Sequence, residues 1–175
     1  MAVKAVFMDK DGTLVENLPY NADPARIRLA PGAELAVARL SSHGYRVIVV
    51  SNQPGLALGY FKLKDLEAVK RHLREALPAL DGFYCCPHAP EQGCECRKPA
   101  SGLLVAAARE QGVDLDESWM VGDILDDVEA GRRAGCRTVL VDVGNETEWN
   151  LNEQRRPHVR VRGLAEAADA ICGET

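Results

Sequence analysis

Val3-Lys4-Ala5-Val6-Phe7-Met8-Asp9-Lys10-Asp11-Gly12-Thr13 is the stretch from which the fold is read. An apolar run of this length, bounded by Asp and Gly, reads as a buried strand. Side chains at i and i+2 of an extended segment point the same way, so Asp9 and Asp11 converge at its end. Two like charges held together need a cation or a proton between them. Gly12 permits a turn or a close approach to a ligand. Taken alone, the pentapeptide is equally an acidic turn after a strand.

Further apolar runs follow at residues 46–50, 82–86, 119–121 and 138–141, with a short sixth at 158–161. Amphipathic segments lie between them. Ala33, Ala36, Val37 and Leu40 keep helical spacing behind Pro31. Leu66, Val69, Leu73, Ala76 and Leu77 do the same up to Pro78. Ser101 is a predicted cap for a helix reaching about Gln111, with Gly112 at its end. Residues 126–134 and the series Leu164, Ala167, Ala168, Ile171 complete the set. Strand–helix alternation predicts an α/β fold: a Rossmann-like, doubly wound parallel sheet covered by helices on both faces. Ligands in such sheets bind beyond the carboxyl ends of the strands. Residues 17–30 and 87–100 read as the longest irregular stretches, and long loops in compact domains are often functional.

The 175 residues, 46% hydrophobic and 27% charged, suit one domain spanning 1–175. No room remains for a large cap domain. A net charge of -5 gives no general attraction to nucleic acid or to an anionic membrane. The first apolar run ends at Asp9, unlike a signal peptide, and no stretch approaches membrane-spanning length. A cytoplasmic monomer is expected, with a small molecule as its partner, no nucleic acid and no membrane.

Four of the six cysteines crowd into residues 85–96. In a cytosolic chain such clustering more often means metal than disulfide. Cys86-x-His88, five residues, then Cys94-x-Cys96 is a Cys₃His set suited to tetrahedral structural zinc. A redox-sensitive loop or a local disulfide is the competing reading. Cys85, the neighbour of Cys86 on a strand, should point the opposite way, toward the core.

The strand-end rule gathers the remaining polar groups. Ser51-Asn52-Gln53 ends the second strand, Gly122-Asp123 the fourth, Asp126-Asp127 follows, and Arg97-Lys98-Pro99 precedes the third helix. Each alone is a turn, a helix cap or a solvated charge. All four at strand or helix termini make a single site the more economical account.

The order Asp-x-Asp-Gly-Thr, Ser-Asn-Gln, Arg-Lys-Pro, Gly-Asp-xxx-Asp resembles the haloacid dehalogenase superfamily of phosphohydrolases. The zinc-loop subgroup, with its heptose 1,7-bisphosphate and histidinol-phosphate phosphatases, is the nearest match. The resemblance implies that Asp9 attacks phosphorus and forms an aspartyl-phosphate, and that Asp11 serves as acid and then base. It implies Mg²⁺ held by Asp9, the Asp11 carbonyl and Asp123, with Ser51 and Lys98 on the phosphoryl oxygens. Asp127 would orient Lys98 or a metal-bound water. Arg97 would meet the far end of the substrate, and Asn17, Tyr20, Asn52 and Gln53 would line its path. Zn²⁺ at Cys86, His88, Cys94 and Cys96 would order the loop bearing Arg97 and Lys98. The implied substrate is a sugar bisphosphate, most simply heptose 1,7-bisphosphate. A histidinol phosphatase is the nearest rival, ahead of a polynucleotide 3′-phosphatase or a zinc-stabilised binding module without chemistry. The chain departs from the pattern in having Ser51 for the commoner Thr, Pro54 for a small polar residue, Ile124 where Lys is frequent, and a short zinc loop.

Overall fold

The computed structural model describes residues 2–173. Six strands, β1 (Ala5–Met8), β2 (Arg46–Asn52), β3 (Leu80–Cys86), β4 (Trp119–Gly122), β5 (Arg137–Val141) and β6 (Val159–Val161), form one sheet in the order β3-β2-β1-β4-β5-β6. Every pairing is parallel, with Met8 opposite Val49 on one side of β1 and Val121 on the other. The chain builds outward from β1 to β3, then returns to β4 and builds the other way. The order therefore reverses between β1 and β4, and a crevice opens at their carboxyl ends. The α/β, doubly wound architecture expected from the strand–helix alternation is the one observed.

Five helices cover the sheet: α1 (Ala33–Ser42), α2 (Leu63–Ala76), α3 (Gly102–Gln111), α4 (Leu125–Ala134) and α5 (Leu164–Cys172). Alternation along the strands sets the layers. Val6, Met8, Val47, Val49 and Val121 pack against α1, α2 and α5. Ala5, Phe7, Ile48, Val50 and Met120 pack against α3 and the Ala130 side of α4. β1 and β4 are each buried at all four positions, so Asp9 and Asp123, which follow them, stand on a fixed base. No described helix is long and apolar enough to cross a membrane.

Three sequence expectations need correction. Val3 makes only an isolated bridge to Val113, so β1 starts at Ala5. Ser101 precedes α3 without a side-chain capping hydrogen bond, and the amide of Gly102, the first helical residue, donates instead to the Glu95 carbonyl at 3.1 Å. The longest irregular stretch is neither 17–30 nor 87–100 but the connection from β5 to β6.

Candidate active site

β1 delivers Asp9, whose amide donates to the Val121 carbonyl of β4 at 2.9 Å, so the two strand ends stay in register at the crevice. Asp9, Asp123 and Asp127 each offer a carboxylate oxygen within 4.8 Å of the others. Lys98 is buried among them. Its Nζ donates to Asp9 Oδ1 at 2.6 Å, Asp127 Oδ1 at 2.7 Å and the Val50 carbonyl at 2.9 Å, which uses all three of its protons. Burial alone would lower this ammonium, but Asp127 and Asp9 outweigh it and hold it above its usual value.

One cation does not balance three carboxylates. Burial, then the charges of Asp9 and Asp127, push the Asp123 carboxyl up to about 8. Burial and Asp9 push Asp127 up to about 6, with Lys98 pulling it back. The set is short of positive charge, and its donors are hard oxygens. It fits a divalent cation such as Mg²⁺. The side chain of Asp11 is outside this carboxylate group, which agrees with a backbone role for that residue toward a metal.

Two glycines make the approach possible. Gly12 has φ +85°, and a Cβ there would lie 2.2 Å from Asp123 Oδ2. A Cβ on Gly122 would lie 2.2 Å from Asp127. Asp127 therefore tucks under the turn after β4, where its Oδ2 accepts from the amides of Asp123 and Ile124 while Oδ1 holds Lys98. The capping reading and the site reading of Asp127 are both realised, one on each oxygen.

Asp11 stands at the mouth, one carboxylate oxygen 2.8 Å from Lys10 Nζ and the other accepting from Gln53 Nε2 at 3.0 Å. Gln53 also donates to Ser51 Oγ at 2.8 Å, so its amide links Asp11 to Ser51 beneath the opening. Asn52 clasps the backbone of Lys98 with both ends of its amide. Oδ1 accepts from the Lys98 N–H and Nδ2 donates to the Lys98 carbonyl, each at 3.0 Å. The geometry thus puts the Asn52 and Gln53 amides to work inside the protein. Ser51 is buried on β2, which runs two residues further than the apolar run and carries Ser51 and Asn52 as strand, not turn.

A cavity of about 290 Å³ is lined by Asp9, Asp11, Asn17, Asn52, Arg97, Lys98, Asp123 and Asp127. Arg97, part of this lining, has its Nη1 buried in the protein without a hydrogen-bond partner. A neighbouring cavity of about 200 Å³ shares Asp11, Asn17, Asn52 and Pro54 and reaches Tyr20. Tyr20 adopts φ +55° and packs on Tyr60, with ring centroids 4.6 Å apart. That contact ties the segment after β1 to the loop after β2.

Beside this cavity, Cys86, His88, Cys94 and Cys96 form a compact group. Cys86 Sγ lies 3.4 Å from His88 Nδ1 and 3.5 Å from Cys94 Sγ; Cys96 Sγ lies 3.1 Å from Cys86 Sγ and 3.2 Å from His88 Nδ1. Ligands on a tetrahedral zinc with Zn–S of about 2.3 Å stand about 3.8 Å apart, and these are slightly inside that spacing. The cysteines are free thiols, so the group is not a disulfide. Cys85 packs with the opposite core layer, as strand alternation predicts.

Two residues at the site escaped sequence reasoning. Lys10 is buried yet reaches Asp11, because the turn at Asp11 swings that carboxylate off the strand axis. Asn145, in the β5–β6 connection, donates from Nδ2 to Asp123 Oδ2 at 2.8 Å. Applying the strand-end rule to β5 as well as to β1, β2 and β4 would have pointed to it.

A HAD-hydrolase-like family model matches residues 95–167. A D-glycero-beta-D-manno-heptose-1,7-bisphosphate 7-phosphatase of Pseudomonas aeruginosa is 38% identical over 149 residues, 82% of this chain and 84% of that protein. A D-glycero-D-manno-heptose-1,7-bisphosphate 7-phosphatase of Thermosynechococcus vestitus is 36% identical, covering 96% of this chain and 95% of its own. Among solved structures, a D,D-heptose 1,7-bisphosphate phosphatase from B. bronchiseptica, complexed with magnesium and phosphate, superimposes with a TM-score of 0.88 at 33% identity. It covers 99% of this chain and 100% of that one.

Proposed function

Because the chain belongs to the haloacid dehalogenase-like hydrolases, we infer that it is a Mg²⁺-dependent phosphatase releasing the 7-phosphate of heptose 1,7-bisphosphate. The observation that carries this reading is the cavity itself, where Asp9, Asp123 and Asp127 meet a buried Lys98 and Arg97 joins the lining.

Asp9 is the nucleophile. Its carboxylate oxygen bonds to phosphorus as the sugar oxygen leaves, and that oxygen takes the proton carried by the Asp11 carboxyl. A water oxygen then bonds to phosphorus, its proton passes to Asp11, and the bond from Asp9 to phosphorus breaks to release inorganic phosphate. Lys98 fixes Asp9 at Oδ1 and supplies positive charge beside the transferring group, where Ser51 on β2 adds a hydroxyl donor. Lys10 and Gln53 hold both oxygens of Asp11, so its direction is set before substrate arrives. Asp9, Asp123 and the Asp11 carbonyl would hold Mg²⁺, which when bound would supply charge neutralisation for the phosphoryl oxygens.

Arg97 takes the second phosphate. A guanidinium offers a planar fork to such an anion, and the place of Arg97 in the lining of the same cavity supports that reading. Asn17 and Tyr20 form the rim along which the sugar lies. Zinc on Cys86, His88, Cys94 and Cys96 orders the loop leading into Arg97 and Lys98 and takes no part in the chemistry. Reduced thiols and structural zinc suit a cytoplasmic setting.

Phosphate release from both anomers of heptose 1,7-bisphosphate, from histidinol phosphate and from a 3′-phosphorylated oligonucleotide tests the reading. A kcat/KM at least tenfold higher on one heptose anomer is expected. Equal rates on all four would reduce the protein to a generalist.

A further inference from the structure

The Asp123 carboxylate is gripped at both oxygens. Thr13 Oγ1 donates to Oδ1 at 3.0 Å, from the turn that follows Asp9. Asn145 Nδ2 donates to Oδ2 at 2.8 Å, from the β5–β6 connection twenty-two positions further along the chain. Gly12 packs directly beneath this pair, and a Cβ there would meet Asp123 Oδ2 and Asn145 Nδ2 at 2.2 and 2.7 Å. The Asp123–Asn145 contact is therefore enclosed from below, and its geometry leaves little freedom.

The segment bearing Asn145 is itself tied down. Glu146 Oε2 accepts from the Leu125 amide at the start of α4, at 2.6 Å. Further along, the Arg155 guanidinium reaches Asp126 at 2.9 Å and Glu129 at 2.6 Å, on the same helix. The connection thus meets the carboxyl end of β4 at Asp123 and is pinned to α4 at Leu125, Asp126 and Glu129. An irregular strap so placed holds an amide donor where a carboxylate must be aimed.

We propose that Asn145 is a positioning residue for the divalent cation, its amide fixing the rotamer of Asp123 so that the remaining lone pairs face Asp9. The inference rests on Asp123 being a metal ligand, as read above. A carboxylate has about four acceptor sites, so two hydrogen bonds leave two for a metal. Partners of this kind orient a ligand and typically carry a tenfold to hundredfold share of metal affinity.

Mn²⁺ titrations of the free protein, followed by electron paramagnetic resonance without substrate, test it. Asn145→Ala should bind Mn²⁺ about tenfold more weakly than the wild type. At saturating Mg²⁺ its KM for the bisphosphate should be unchanged. Equal Mn²⁺ affinity in the two proteins would overturn the inference, as would a raised KM at unchanged affinity, which would make Asn145 a substrate contact. Should Asn145→Ala not fold, Glu146→Ala slackens the strap while keeping the amide. Weaker Mn²⁺ binding there supports the inference and unchanged binding overturns it. A wild-type protein that binds no Mn²⁺ would instead refute the metal reading from which the inference starts.

Discussion

The two metal-ready clusters of this protein sit next to each other and solve opposite problems. Three ligands of the Cys₃His group lie on the irregular loop that follows β3, Cys86 being the last residue of that strand, and its four sulfur and nitrogen donors close around a centre with no place left over. The carboxylate group lies at the ends of two buried strands, Asp9 after β1 and Asp123 after β4, with Asp127 on the first turn of α4, and its three hard donors share one side with a buried ammonium and an open cavity. A loop needs a metal to acquire a shape. Strand ends already have a shape, and there the metal relieves charge. On the proposed reading one site is a staple and the other a tool, although both would be described as metal sites from residue types alone.

The largest test of that contrast is at the tool. Asp9→Asn should abolish phosphate release, with a loss of at least about a thousandfold, because nothing else in the cavity replaces the nucleophile. The melting temperature of the metal-free variant should not fall, since one of three crowded carboxylates has gone. Retained turnover would remove Asp9 from its role. At the staple, Cys94→Ser should lower kcat/KM by about ten- to a hundredfold while leaving Mn²⁺ affinity at the carboxylates unchanged. A lost Mn²⁺ site in that variant would show the two clusters to be one unit.

Acidity separates them next. Asp123 and Asp127 have carboxyls raised to about 8 and about 6, above their ordinary value near 4. The folded state then binds more protons than the unfolded chain across this range, so stability falls as pH rises from about 4 to about 8. Melting temperatures of metal-chelated protein should decline through that window. Mg²⁺ should restore them most at its alkaline end, where both carboxyls are ionised. A flat profile without Mg²⁺ would deny the crowding of charge. Smallest of all is the effect of Cys85→Ala. Its thiol is pushed up to about 12 by burial and faces the opposite core layer. Zinc content, measured by atomic emission, should stay at the wild-type value.

Much of this was legible in the sequence, for physical reasons. Parallel strands buried on both faces write themselves as unbroken apolar runs, and the alternation with helices then dictates the sheet. Carboxylates and thiols at fixed short spacings are equally readable, since few structural jobs demand them. What was hidden depends on atoms meeting across long separations. Asn145 reaches Asp123 only because the connection after β5 folds back over α4, and nothing local announces it. Lys10 looked like a spacer and is a buried partner of Asp11. Asn52 and Gln53 looked poised for a ligand, yet their amides are engaged by Lys98, Asp11 and Ser51. Amides serve both purposes, and only geometry tells which.

The clasp of Asn52 on the main chain of Lys98 bears on how such a protein can change over generations. It reads peptide groups, not side chains, so it holds the loop at the same height whatever stands at position 97. The lysine proposed to act on the phosphoryl group is anchored separately from the arginine proposed to meet the substrate's far end. A lineage can therefore exchange Arg97 and try a new substrate without first dismantling the machine that cleaves it. Two neighbouring residues, one bound to a fixed task and one free to drift, give this site a built-in division between inheritance and experiment.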